Sequence, residues 1–300
     1  MHHPMPVLVF VLATAVACAS KQPSHASPSE PRTIDLPGRV ALDYVEQGDE
    51  SGVPVILLHG YSDSRQSFEL VLPHLPPRLR VFALSQRGHG DSGRPESGYR
   101  TRDFAADVGA FIEAQGLGPA VVVGHSMGST HAIRVALDFP DRTRGLVLVS
   151  TFDSYRENPV IVELWETGVS QLADPVDPAF VREFQTGTLA QPVPPEFFER
   201  AVRESLKLPA RVWQHAFQGF LEDDFTGELA RVRAPTLVLW GDRDVLCTRA
   251  DQDTLLAAIA GSKLVVYEGT GHALHWEQPQ RFAADLVAFV DGLPAVARQP

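Results

Sequence analysis

The stretch Val121-Val122-Val123-Gly124-His125-Ser126-Met127-Gly128 constrains this chain more than any other. Three consecutive β-branched residues that run into a Gly-x-Ser-x-Gly pentapeptide read as a buried strand ending in a sharp turn. Ser126 then sits at the apex, as a candidate nucleophile, with a helix behind it. Such a turn crowds side chains, so Gly124 and Gly128 are spatial requirements that relieve the contacts holding the serine backbone in a strained conformation. Behind the serine, Gly128, Ala132 and Ala136 recur at every fourth residue. That spacing puts small side chains on one helical face and lets the helix lie close against a sheet, until Pro140 ends it.

Around this stretch the pattern alternates. Pro54–Leu58 is continuously apolar, as a strand buried on both faces of a parallel sheet must be. Val81–Leu84 and Gly145–Val149 read as further buried strands, and the pattern resumes at Thr236–Trp240 and again at Lys263–Tyr267. Arg39–Glu46 alternates apolar and polar residues and suits a half-exposed edge strand. Thr101 is placed to cap a helix with the stripe Phe104, Val108, Phe111 and Ile112; Thr248 and Asp251 look like another cap. Phe282, Leu286, Phe289 and Val290 give the last helix its buried face. The expected fold class is α/β, a mostly parallel central sheet flanked by helices. From Asp153 to about Glu228 no strand is convincing. Proline is frequent there, and helical stretches carry Trp165, Phe180, Phe184, Phe197, Phe198, Trp213, Phe217 and Phe220, most of which must form their own core.

With its strand-turn-helix placement, the pentapeptide resembles the nucleophile elbow of the α/β-hydrolase family, and the resemblance runs from about Leu36 to the C-terminus. It implies a core over 36–152 and 229–295 with a helical cap inserted at 153–228. It also implies a Ser-Asp-His chain order. Gly241-Asp242-Arg243-Asp244 matches the family's acid loop, with Asp244 as the acid three residues after the glycine and Asp242 as a turn residue. Asp153 is an outside candidate, because some relatives place the acid there. Gly271-His272 matches the base loop, leaving structural roles for His125, His131 and His275. His59-Gly60-Tyr61 resembles the oxyanion loop, so the backbone N–H groups of Tyr61 and Met127 become the expected donors, with the Tyr61 side chain free to touch substrate. Gln86-Arg87-Gly88-His89-Gly90-Asp91-Ser92-Gly93 resembles a family turn in which Ser85 replaces the usual aspartate, and reads as structural.

The serine narrows the chemistry. Relatives that open epoxides or displace halide carry aspartate at the elbow, so Ser126 implies acyl transfer through a Ser126-His272-Asp244 triad on an ester, lactone or thioester. Carbon–carbon bond hydrolases, peptidases and perhydrolases share that triad, and a few family members only bind ligands. No cofactor is called for, and no metal-ligand spacing occurs. A net charge of -11 leaves no basic patch for nucleic acid. An aromatic-rich cap implies an enclosed apolar pocket and a small to medium apolar ester-like substrate.

The first residues carry a separate expectation. Val7–Ala17 is an apolar run of signal-peptide length, and Ala15-Val16-Ala17-Cys18 resembles a bacterial lipobox. That resemblance implies a signal peptide over 1–17, lipidation at Cys18 and a Ser/Pro-rich tether over 18–35, anchoring an exported protein to a membrane of the cell envelope. The alternative is plain secretion with cleavage after Ala17 or Ala19. Cys18 and Cys247 are too few for a disulfide framework.

Overall fold

The apolar runs pair into one eight-stranded sheet in a computed structural model that describes residues 30–156 and 158–294. In chain order the strands are β1 (Arg32–Asp35), β2 (Ala41–Gln47), β3 (Val53–Leu58), β4 (Leu79–Leu84), β5 (Ala120–His125), β6 (Thr143–Val149), β7 (Thr236–Gly241) and β8 (Lys263–Tyr267). Side by side they run β1-β2-β4-β3-β5-β6-β7-β8. The first two pairings are antiparallel and the rest parallel.

Continuous apolarity follows from burial on both faces. Ile56, Leu58 and Val122 join one cluster with residues of α1 (Thr101–Ala114) and α2 (Met127–Asp138). Val55, Leu57, Val121 and Val123 point the other way. Phe282, Leu286 and Val290, on the C-terminal helix, cover that second face. Between β6 and β7 the chain builds α3 (Pro159–Thr167), α4 (Pro178–Gly187), α5 (Pro195–Ser205) and α6 (Ala210–Leu221). This helical layer is closed at its base by an antiparallel bridge between Ser154 and Asp224. After β7 come α7 (Arg249–Ala258), the short α8 (Leu274–Glu277) and α9 (Pro279–Asp291), the C-terminal helix. Among the described residues no helix is long and apolar enough to cross a membrane, and Cys18 with its signal-like run lies outside them.

Three local expectations differ from the structure. The alternating segment is not an edge: β2 pairs with both β1 and β4, and β1 takes residues 32–35 out of the expected tether. The misleading residue is Asp43, a polar position that reads as solvent-facing but is 4% exposed. Its carboxylate is satisfied by Arg65 Nε at 2.8 Å and Ser85 Oγ at 3.0 Å. Asp43 thus brings a carboxylate to the place where Ser85 lacks one. Thr101 is the first helical residue, not the cap; Arg100 precedes the helix and donates its N–H to Asp103 Oδ2 at 3.0 Å. Thr248 does cap α7, with Asp251 completing the box.

The turn at Ser126 is built by close approach. Ser126 has φ 51° and ψ −120°, a left-handed conformation rare for a residue with a side chain. A Cβ on Gly124 would stand 2.1 Å from the Gly128 carbonyl oxygen, and one on Gly128 would stand 2.4 Å from that of Leu58. Backbone cannot yield at either place as a side chain could. Gly128→Ala is expected to destabilise the fold by about 1–3 kcal/mol, as overpacking does, seen as a lower urea midpoint with unchanged slope.

Candidate active site

The parallel strands all point their C-terminal ends at one rim, where open α/β sheets hold their sites. Ser126 follows β5, Asp244 follows β7 and His272 follows β8. His272 Nδ1 lies 2.8 Å from Asp244 Oδ2. The other Asp244 oxygen accepts from the Leu246 and Cys247 N–H groups at 2.8 and 3.0 Å. Burial pushes the Asp244 pKa up. The His272 charge and these hydrogen bonds outweigh it and hold the carboxyl below its ordinary value. With Nδ1 bound to the carboxylate, His272 Nε2 is buried and without a partner among the described residues. Both His272 and Ser126 line one cavity under the helical layer.

The other acids and histidines are spent elsewhere. Asp242 Oδ1 accepts from Gly269 N–H at 2.6 Å, tying the loops after β7 and β8 together. Asp153 accepts from the N–H of Ser154 at the base of the helical layer. His125 Nε2–H donates to the His272 carbonyl at 3.1 Å, joined there by Ser150 Oγ at 2.8 Å, so the end of β5 steadies the loop after β8. His131 Nδ1–H donates to Gln86 Oε1, and His275 Nε2 meets Ser67 Oγ at 3.1 Å. Burial, first of all, holds all three below the ordinary histidine pKa.

The expected oxyanion donors follow two neighbouring strands, Tyr61 after β3 and Met127 after β5. Met127 is the first residue of α2, so its N–H has no intrahelical acceptor and carries the helix's positive end. Tyr61 N–H finds no backbone acceptor among the described residues. Its loop is locked from behind: His59 Nδ1–H donates to the Gly60 carbonyl at 2.7 Å and His59 Nε2 accepts from Gln86 N–H at 3.0 Å. The sequence leads one to expect a free Tyr61 side chain, and the structure corrects this. Its hydroxyl donates to the Trp213 carbonyl of α6 at 2.7 Å. The ring still lines the cavity, packed edge-on against Phe184, Trp213, Phe217 and Phe220 at centroid distances between 5.1 and 5.7 Å.

Asp244, Cys247 and His272 bring three donor atoms within 4.8 Å of one another. They make a poor metal cage. Nδ1 is committed to Asp244, and burial followed by the Asp244 charge pushes the Cys247 thiol well above its usual pKa, away from the thiolate a metal needs.

Residues 53–279 match the family described as alpha/beta hydrolase fold. The chain belongs to the α/β-hydrolase family. It is 30% identical over 276 residues to a non-heme chloroperoxidase of Streptomyces lividans, covering 86% of this chain and 99% of that one. It is 35% identical over 130 residues to a 2-(acetamidomethylene)succinate hydrolase of Mesorhizobium japonicum, a match that spans 43% of this chain and 45% of the relative. An esterase from Exiguobacterium antarcticum superposes with a TM-score of 0.78 at 23% identity, over 87% of this chain and 99% of that one, a likeness of fold.

Asp63, Tyr155 and Gln185 are among the cavity residues of this α/β-hydrolase that were not singled out from the sequence. Asp63 reads as an ordinary polar turn residue, and the other two are single positions without a motif. Asp63 is buried, accepts from Gln185 Nε2 at 2.9 Å and Ser67 Oγ at 3.3 Å, and has no cation paired with it among the described residues. Burial raises its pKa to about 7 against the pull of those hydrogen bonds and His272. Since the folded value lies above the unfolded one, the stability this carboxyl contributes is full below the unfolded pKa and is lost as pH rises through about 7. Asp63→Asn cannot ionise, so its melting temperature should gain on the wild type from about pH 5 to about pH 8. Thermal unfolding across that range checks this, and a gap that does not change with pH contradicts it.

Proposed function

We propose that this protein is a serine carboxylic-ester hydrolase, acting on an ester, lactone or thioester through an acyl-enzyme. The supporting observation is the 2.8 Å bond from His272 Nδ1 to Asp244, with Nε2 buried, unpartnered and facing the same cavity as Ser126. His272 Nε2 takes the Ser126 proton as Oγ attacks the carbonyl carbon, and Asp244 stabilises the imidazolium so formed. Tyr61 and Met127 N–H receive the oxyanion, each worth about 3 kcal/mol of barrier. Collapse expels the alcohol, protonated by His272, and water then releases the acid by the same route.

The cavity is lined by Ile161, Leu164, Phe184, Phe217, Phe220 and Leu246, which favours an apolar substrate. Its free volume is about 30 Å3, room for roughly two water molecules. A medium-sized ester therefore enters only as the helical layer eases away, and long-chain triglycerides are poor substrates. The likeness to a chloroperoxidase favours a second use of the same acyl-enzyme, with hydrogen peroxide in place of water to give a peracid.

Ser126→Ala should lose at least about a thousandfold in turnover of short p-nitrophenyl esters, and a variant keeping a tenth of the activity sinks the assignment. Asp244→Asn should fall far below Asp242→Asn; the reverse order puts the acid on the wrong residue. An acyl-chain series should peak at short to medium chains, whereas rates climbing to long-chain emulsions describe a lipase. We further propose that the chain is exported and held to a membrane of the cell envelope through Cys18. Cys18→Ser should then release it from membranes, and mass spectrometry of the mature N-terminus should find an acylated cysteine; a free N-terminus at Ala19 or Ser20 refutes the anchor.

A further inference from the structure

Tyr155 stands between β6 and α3, its ring packed against Phe152 at 4.3 Å and Phe220 at 4.9 Å. It is 2% exposed and lines the Ser126 cavity, yet its hydroxyl has no hydrogen-bond partner among the described residues. The Ser126 and Ser129 hydroxyls lie near enough to pull on it, but neither bonds it with good geometry. A buried hydroxyl is costly to leave unpaired, so an unpaired one beside a nucleophile is poised for a partner that arrives with the substrate.

The sheet order says which substrate atom that partner is. β3 and β6 flank β5 on opposite sides. The Tyr61 loop leaves β3, so Tyr61 N–H sits on that flank of Ser126, and the start of α2, with Met127 N–H, packs against the same strand end through Gly128. Tyr155 follows β6, on the flank shared with β7 and β8, whose loops carry Asp244 and His272. The oxygen that leaves with R′ must lie near His272, because it takes its proton from Nε2. We infer that Tyr155 Oη donates a hydrogen bond to the leaving-group oxygen of the substrate as its bond to the acyl carbon breaks. This inference rests on the hydrolase reading of Ser126.

In the step, the bond from Ser126 Oγ to the acyl carbon forms and the bond from that carbon to the leaving oxygen breaks. The serine proton travels through His272 to the leaving oxygen, while Tyr155 keeps its own. Burial raises the phenol well above its usual pKa, which suits a group that donates without ionising. In the second half-reaction the attacking water occupies the place the alcohol vacated and takes up the same bond. Negative charge on a leaving oxygen demands more help the more basic that oxygen is, so the donor matters greatly for an alkoxide and little for p-nitrophenolate.

Tyr155→Phe deletes one oxygen and should be tested as kcat/KM on a series of acetate esters with p-nitrophenyl, phenyl, trifluoroethyl and ethyl leaving groups. The expected loss is under about threefold for p-nitrophenyl acetate and grows to about tenfold or more for ethyl acetate. A loss equal across the series, as from disturbed packing or an oxyanion role, overturns the inference, and so does no loss at all. The melting temperature should hold or rise, since no hydrogen bond is removed; a fall assigns the hydroxyl to the fold and likewise overturns it. If the wild type turns over no member of the series, the hydrolase reading fails and takes Tyr155 with it. A wild type that turns over every member, with the variant's losses in parallel, removes Tyr155 alone.

Discussion

The site depends on one close approach, that of the N-terminus of α2 to the end of β3. Gly128 sits against the Leu58 and His59 carbonyls with no room for a Cβ, and Gly124 sits equally close to Gly128. This contact sets how far the Met127 N–H lies from the loop that carries Tyr61 N–H. Two backbone donors from separate elements can hold one oxygen only if their carriers cannot drift, and backbone-to-backbone contact is stiffer than any side-chain packing. The strained φ of Ser126 is the local cost of the same crossing.

Behind that contact the polar groups form a continuous scaffold that needs its histidines neutral. Gln86 donates its N–H to His59 Nε2 and its amide to the His59 carbonyl, and accepts from His131 on α2. One glutamine thereby ties the end of β4, the Tyr61 loop and α2. His125 does the same between the end of β5 and the loop after β8. Desolvation is the largest cause of the lowered pKa of each of these histidines, and a proton on His59 Nε2 would break the bond it accepts from Gln86 N–H. His272 differs in one respect: a carboxylate, Asp244, faces its Nδ1 at 2.8 Å.

Much of this was legible because the constraints are local. A parallel strand buried on both faces must be apolar throughout, and an elbow glycine must lack a Cβ, so β3 to β7 and the serine turn are written in short windows. Asp244 and Asp242 separate in space as their spacing from Gly241 implies, one facing His272 and the other closing a turn. What was illegible is set by pairing across the chain. Asp43 reads as a surface residue until Arg65 and Ser85 are beside it, and β1 is too short and exposed to carry a pattern at all. Asp63 and Tyr155 sit in segments that look like ordinary turns. Their meaning comes from the cavity they share, which no spacing encodes.

The helical layer is coupled to the chemistry more tightly than a loose lid. Tyr61, the expected oxyanion donor, also bonds the Trp213 carbonyl through its hydroxyl and buries its ring among four aromatics of α4 and α6. Gln185 of α4 reaches Asp63 two residues further along the same loop, and Ser205 of α5 as well. On the proposed reading, any movement of the layer that admits a substrate pulls on the Tyr61 loop, and closure over a bound acyl group returns Tyr61 to the place fixed by His59 and Gln86. On that reading pocket and donor share one residue, so a substrate that lets the layer close completely also completes the oxyanion site, while one too long to be covered leaves the donor displaced. Selection by size then acts on turnover as well as on binding.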